Sequence, residues 1–388
     1  MKIAFLTPEY PHPKTGSSGG IGTSIKNLAM GLLAENSSVR VLVYGQKEEA
    51  VFDDNGITIQ QIKNVKFKGL SWWLTRKKLE RIINQLYANK EIDLVEAPDW
   101  TGITSFIQPK KCPIVIRLNG SDTYFCHLDH RPVKWINKFH ERRALQKADG
   151  LLSVSQFTAD LTNEVFGLQK KFTIIPNSID VDFFNDNDNF NSNDNFNSKK
   201  AILYFGSLIR KKGLLELPLI FNEVIQKNPE AQLILIGQDV PDVISGNSST
   251  WAMMQGLFTN EALQKVSYLG SVPYQEIKAH IKTAGVCVFP TFAEALPVSW
   301  IEAMALQKPI VASDIGWAKE VIEDGVEGFL VHPKNHKQYA ERILELLESP
   351  ELQESFGIAA RKKVVSTFST PVVAQQSLLF YKKLIETK

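Results

Sequence analysis

The chain has 388 residues, more than one hydrophobic core usually supports, and its 44% hydrophobic and 22% charged residues suffice for two ordinary cores. Its 44 basic and 42 acidic side chains leave a formal net charge of +2, so no global field selects nucleic acid as a partner. Cys112, Cys126 and Cys287 are an odd number at wide spacings without a CxxC pair, which argues against a disulfide framework or a structural zinc site and predicts a reducing, cytoplasmic setting.

Met1-Lys-Ile-Ala-Phe-Leu-Thr-Pro has too short an apolar run for a signal-peptide core or a spanning helix, so neither is expected. Residues 3–7 read as a strand, followed by the glycine-rich turn Thr15-Gly-Ser-Ser-Gly19-Gly20-Ile-Gly22 and a helix whose Ile25, Leu28, Ala29, Leu32 and Leu33 keep helical spacing. The turn lacks the full dinucleotide spacing and no acid ends the next strand, at 39–44, which disfavours a nicotinamide site.

Further apolar runs at 93–96, 113–117, 150–154 and 172–175 alternate with helical stretches, the pattern of a parallel sheet covered on both faces. Val115-Ile-Arg-Leu-Asn119-Gly120-Ser-Asp122 closes one of these strands on two polar side chains. The segment 66–81 carries six cations beside Trp72 and Trp73, and 131–147 repeats the mixture around Trp135. Leu79, Ile82, Ile83 and Leu86 demand core burial, so a solvated basic face with Trp in the core is the expected reading; peripheral contact with an anionic membrane is the alternative. Cys126-His127-Leu-Asp129-His130 reads as ordinary loop residues rather than a metal site.

Asn187-Asp-Asn-Phe-Asn-Ser192 is repeated unchanged as Asn193-Asp-Asn-Phe-Asn-Ser198, too polar to bury a core and without the glycine turn or closing glutamate of a calcium loop. It predicts a linker or surface loop. A second strand and helix series then begins, with strands at 201–205, 232–236, 266–269, 285–289, 309–312 and 328–331. Gly206-Ser-Leu-Ile-Arg210-Lys-Lys212-Gly213 leaves the first of these on a turn that ends in three cations, suited to a phosphate.

Glu294 and Glu302 lie eight residues apart across a strand, loop and helix unit, with Pro297 at the helix start. Glu302 is then roughly 7 Å further along the helix than its first residue. The two carboxylates bracket a helix N-terminus, where free amides and the positive dipole end favour a diphosphate, leaving one acid for each end of a sugar nucleotide.

This pattern resembles the Glu-x7-Glu motif of the retaining family 4 glycosyltransferases of the GT-B fold. The resemblance extends to the opening Pro8-Glu9-Tyr10-Pro11, Ser153-Val-Ser155, Ile175-Pro-Asn-Ser178, Lys212-Gly213, Glu302-Ala-Met-Ala305 and Val326-Glu-Gly-Phe-Leu330. It implies two facing Rossmann-like α/β domains with an interdomain cleft: 1–182 on the acceptor side, joined by a C-terminal helix at 370–388, and a nucleotide-sugar domain at 200–369, with the Asn/Asp-rich stretch 183–199 between them a linker or loop.

It implies that Glu294 orients the donor sugar, that Glu302 binds ribose, and that Lys212 with Arg210 stabilises the diphosphate. The amides of Leu296 and Val298 would assist, Pro297 having none to offer. Gly206, Gly19 and Gly20 would approach the phosphates, and Asn119 and Asp122 the reacting sugar.

Three positions depart from the family: Ser207 stands at its arginine, Asn119 at its common histidine, and Ala295 at a common Gly or Ser. Asn119 cannot titrate, so no enzymic base is expected there. Metal-independent transfer from a UDP- or GDP-type sugar follows as the expectation, with no further cofactor, the departing phosphate taking the acceptor proton. The acceptor would be a glycan, a lipid-linked molecule or a small molecule, in cell-envelope polysaccharide biosynthesis. A sugar-nucleotide epimerase, a glycoside phosphorylase and a non-catalytic nucleotide-sugar-binding protein remain open alternatives.

Overall fold

The computed structural model describes residues 1–16, 18–185 and 200–387, so the tandem hexapeptide at 187–198 lies outside the described residues. The chain divides into two compact units, Met1–Asp180 with Phe368–Lys388, and Val181–Thr367.

The first unit is built on β1 (Lys2–Thr7), β2 (Ser38–Gln46), β3 (Ala50–Asp54), β4 (Ile57–Lys63), β5 (Leu94–Pro98), β6 (Ile114–Leu118), β7 (Gly150–Ser153) and β8 (Thr173–Ile174). Their order in the sheet is β3-β4-β2-β1-β5-β6-β7-β8, parallel throughout except for the β3–β4 pair. Side chains alternate across a strand, and both sides of β1 are apolar. Ile3 and Phe5 pack with Ile25, Leu28 and Leu32 of the Gly20–Ala34 helix, while Ala4 and Leu6 pack with Leu79, Ile83 and Leu86 of the Ser71–Ala88 helix.

The β3–β4 hairpin is absent from the strands read off the sequence. Ala50–Asp54 has only one fully buried residue, and its apolar run of three, Ala50-Val51-Phe52, is too short to betray it. The turn itself carries the signal, because Asn55 and Gly56 take φ of +53° and +87°, the left-handed pair that a two-residue hairpin demands. Tyr10 donates to Asp54 Oδ2 at 2.8 Å and ties this hairpin to the loop after β1.

The C-terminal helix, Thr370–Glu386, packs within the first unit. A side chain at Gly31 would meet Thr370 Cγ2 at 2.5 Å, so glycine sets how closely this helix approaches the first. Beneath it lies a buried ionic cluster: Arg117 Nε and Nη2 donate to Glu96 at 2.8 and 3.2 Å, and Tyr381 donates to Glu96 Oε2 at 2.5 Å. Arg117 also donates to the Ile175 carbonyl and to Ser377 Oγ.

The second unit contains β9 (Ala201–Phe205), β10 (Gln232–Ile236), β11 (Val266–Tyr268), β12 (Val286–Phe289), β13 (Ile310–Ser313) and β14 (Gly328–Val331), all parallel in the order β11-β10-β9-β12-β13-β14. Strand order reverses between β9 and β12. In open α/β sheets that switch point, at the carboxyl ends of the strands, is where ligands sit. Packing of this unit begins before residue 200: Phe184 is buried and Phe183 stacks on Tyr274 with centroids 5.8 Å apart. Residues 183 and 184 are therefore packed against this unit.

Glu96 is the shared acceptor of two donors in a buried site, which makes its loss more costly than that of either donor. Tyr381→Phe is expected to lower stability by about 1.5–3 kcal/mol and Glu96→Ala by about 3–5 kcal/mol, the latter stranding the Arg117 charge. Thermal melts with hydrogen exchange over residues 370–386 check this; equal melting of all three proteins would remove the cluster from the account.

Candidate functional site

The Arg210–Lys212 turn follows β9 and ends on Gly213 in the left-handed region, φ +73°. A Cβ there would lie 1.7 Å from the Pro290 carbonyl oxygen, so only glycine lets this turn pack against the loop after β12. The amides of Phe292 and Ala293 then donate to the Lys211 carbonyl at 2.8 and 3.2 Å, tying the two loops together.

That tie brings the sequence-predicted charges face to face. Lys212 Nζ lies 3.2 Å from Glu294 Oε1, both side chains being half-buried. Burial opposes the lysine charge, but the carboxylates of Glu294 and Glu302 and the Tyr204 hydroxyl outweigh it and hold its pKa above the ordinary lysine value. Gly206, at φ +136°, leaves room for this ammonium: a Cβ on it would sit 3.3 Å from Lys212 Nζ.

Glu302 lies in the Val298–Ala305 helix and is buried. Pro297 precedes the helix as its N-cap rather than standing inside its first turn, so the amides of Val298 and the residues after it open the helix without intrahelical partners. Tyr274 donates to Glu302 Oε1 at 2.6 Å. Burial pushes the Glu302 carboxyl up to about 7, against the pull of Tyr274 and Lys212. A cavity of about 300 Å³ opens over these groups, lined by Phe205, Gly206, Gly237, Tyr274, Ser299 and Glu302. Leu296 is buried in the loop between the two acids.

Arg210 faces elsewhere. Its Nε and Nη2 donate to the two carboxylate oxygens of buried Asp242 at 2.9 and 2.7 Å, and this fork holds the Asp242 carboxyl far below the usual carboxylate range. Ser207 is exposed, and its carbonyl accepts from the Tyr204 hydroxyl at 3.0 Å.

In the first unit, the glycine turn opens the Gly20–Ala34 helix as expected, but an acid of the chain itself sits on it. Gly19 and Gly22 amides donate to Glu9 Oε1 at 3.0 and 2.9 Å. Asn119 donates its backbone amide to Asp99 Oδ1 at 2.9 Å and turns its side chain back to the Arg117 carbonyl. Asp122 accepts from Asn137 Nδ2 at 2.9 Å, while its amide and that of Thr123 donate to buried Glu141. The Cys126–His130 stretch resolves into local contacts, Cys126 with Asp122 and Arg131 with Asp129.

Sequence reasoning missed three of these residues. Tyr274 and Asp242 lie about thirty positions from the groups they bind, and no periodicity announces such pairs. Asp99 is buried with its Oδ2 unpartnered among the described residues, and burial pushes its carboxyl up to about 7. Its signal was its place directly after β5, beside the switch point of the first sheet.

Two family models match the chain in succession: Glycosyltransferase Family 4 on residues 18–183, and Glycosyl transferases group 1 on residues 185–363. A glycosyltransferase of Methanocaldococcus jannaschii is 25% identical, covering 100% of this chain and 99% of that protein. Among solved structures, sucrose-phosphate synthase from Thermosynechococcus elongatus superimposes with a TM-score of 0.80 at 18% identity over 100% of both chains. The Anabaena protein HepE, solved in complex with UDP-glucose, gives 0.72 at 19% identity over 100% of both. With two Rossmann-like units of the GT-B type and both family models matched in order, the chain belongs to the family 4 (group 1) glycosyltransferases, enzymes that transfer sugars from nucleotide sugars.

Proposed function

We propose that the second unit binds a UDP- or GDP-type sugar, with the nucleoside in the cavity at Tyr274 and Glu302, the diphosphate at Lys212 and the sugar hydroxyls on Glu294. The observation that carries this reading is the Lys212–Glu294 pair, 3.2 Å apart at the sheet's switch point, with Glu302 one helical turn into the adjoining helix. A diphosphate brings more negative charge than one carboxylate and draws the ammonium toward itself, which frees Glu294 oxygens for sugar hydroxyls. Ribose hydroxyls replace or share the Tyr274 bond on Glu302.

Transfer breaks the anomeric C–O bond and leaves charge on the departing diphosphate. Lys212 supplies the compensating charge, in a half-buried site where it counts for more than in water, so the step needs no metal ion. Arg210, held by Asp242, shapes the turn behind Lys212. Gly206 keeps the approach open, and the Leu296 and Val298 amides add donors at the helix start.

The reaction proceeds with retention of configuration, the leaving phosphate taking the acceptor proton, because Asn119 cannot act as a base. A glycan, lipid-linked or small-molecule acceptor meets the first unit near Asn119 and Asp122. The UDP-glucose complex of HepE supports a UDP donor.

Lys212→Ala and Glu294→Ala are each expected to depress turnover well over tenfold, the scale of removing a charge-stabilising group. Donor-panel assays of nucleoside diphosphate release check this, with melting temperatures to confirm folding. Unchanged turnover in either folded variant sinks that residue's role, and release of sugar phosphate on adding inorganic phosphate would make the enzyme a phosphorylase.

Glu302 generates a separate test. Its folded pKa of about 7 exceeds its ordinary value of 4.5, so the folded chain keeps this proton longer than the unfolded one. Stability from the neutral carboxyl is full below the ordinary value and falls as pH rises through 7, by about 3 kcal/mol in total. Glu302→Gln does not titrate there. Its melting temperature is expected to gain on the wild type between about pH 5 and about pH 8, while nucleotide affinity falls. A difference that stays flat with pH would refute the buried carboxyl.

A further inference from the structure

The sequence favoured Trp72, Trp73 and Trp135 as core residues; the structure puts them at the surface. Trp135 is 77% exposed, Phe67 58% and Trp72 43%, and Trp73, Ile136 and Phe139 are exposed beside them. Leu79, Ile83 and Leu86 are buried as their spacing required, so the Ser71–Ala88 helix has a core stripe and a separate apolar tip.

Half-buried Phe106 and buried His140 join Trp72 of one helix to Phe139 of the other. Trp72 lies 5.6 Å from the Phe106 ring and 5.2 Å from His140, and Phe106 lies 6.3 Å from Phe139. Phe139 shares a helix face with Trp135 and Ile136, one turn earlier in the Trp135–Lys147 helix. Contiguous exposed apolar surface of this kind marks an interaction site.

Charge decides the occupant. Residues 64–79 and 130–140 contain no acid, and exposed Lys66, Lys68, Lys134 and Lys138 flank the aromatic residues. Trp72 and Trp73 sit in the first turn of one helix and Trp135 and Ile136 in the first turn of the other, so both positive dipole ends add to the field. A second copy of the chain would set the same cations against each other. Trp and Phe amid lysines match the headgroup boundary of an anionic bilayer, where rings enter the acyl edge and ammonium groups meet phosphate. Among the described residues no helix is long and apolar enough to cross a membrane, so the contact is peripheral.

We infer that the face formed by the starts of the Ser71–Ala88 and Trp135–Lys147 helices docks on an anionic lipid surface. Asn137 of the second helix holds Asp122, and its Glu141 holds the Asp122 and Thr123 amides. The docking face therefore adjoins the residues assigned to the acceptor. On the transferase reading this selects a membrane-resident acceptor, whereas docking itself needs neither donor nor turnover.

Flotation of the full chain with phosphatidylglycerol/phosphatidylcholine vesicles, without donor, tests it. Wild-type protein is expected to float with anionic vesicles at low salt, to be released by high salt, and to ignore pure phosphatidylcholine. Lys134→Glu/Lys138→Glu is expected to weaken partitioning at least about tenfold, and Trp135→Ala/Phe139→Ala to weaken it at unchanged melting temperature. Wild-type protein that stays behind, or variants that float equally well, overturn the inference. So does a wild-type dimer, seen by sedimentation, that the Trp135→Ala/Phe139→Ala variant dissociates.

Discussion

One backbone carbonyl holds the second unit's candidate site together. Ladder pairing between β9 and β12 covers only Ile202 with Val286 and Leu203 with Cys287, so the strands part before their carboxyl ends and a crevice opens at the switch point. Beyond it the two loops have no sheet to align them. The Lys211 carbonyl, accepting from Phe292 and Ala293, replaces the ladder, and it can do so only because Gly213 has no Cβ against Pro290. Lys212 is the next residue after that carbonyl and Glu294 the next after Ala293, so the tie fixes both ends of the ion pair. Phe289 fills the base of the crevice, its ring 5.3 Å from Phe205 and 6.2 Å from Trp300.

From this constraint follows a division of labour among adjacent cations. Arg210 and Lys212 sit two residues apart on one turn, yet Arg210 is locked in a bidentate fork with buried Asp242 while Lys212 faces half-buried Glu294 at 3.2 Å. A planar guanidinium suits the rigid pair, and a flexible ammonium suits a partner that is to be exchanged. The sequence places three cations together and predicts that two act on the phosphate. The fold pairs one of the two, Arg210, with Asp242, a residue that chain spacing could not associate with the turn.

The fold was legible where apolar runs were continuous. Parallel strands covered on both faces announce themselves, and β1, β5, β9 and β12 lie where their Ile, Leu, Val and Phe runs predict. The β3–β4 hairpin was hidden because its first strand is short and its apolar residues, Ala50-Val51-Phe52, are not fully buried, although the Asn55-Gly56 turn carried enough information to find it. At the site, Glu294, Glu302 and Lys212 stood out because a short motif brings its own local geometry. Tyr274, Asp242 and Asp99 did not, because a nonlocal side-chain pair depends on where two loops end. Trp72 and Trp135 misled for a different reason: tryptophan is apolar enough to be assigned to a core, although the Leu79, Ile83 and Leu86 stripe already marked which side of the Ser71–Ala88 helix the core occupies.

The two glycine turns show how similar sequence signals reach different states. Each unit opens with a strand, a glycine turn and a helical turn, and each turn favours an anion. In the first unit Glu9 already occupies that position, its Oε1 within 3.0 Å of the Gly19 amide and 2.9 Å of the Gly22 amide. A phosphate approaching Gly19 and Gly20 must therefore displace a carboxylate of the same chain or bind beside it against like charge. In the second unit the cation Lys212 instead faces a carboxylate, that of Glu294, at 3.2 Å. The asymmetry is one of charge: in the second unit the resident acid is paired with a cation, whereas in the first it is held by backbone amides and would repel an incoming anion.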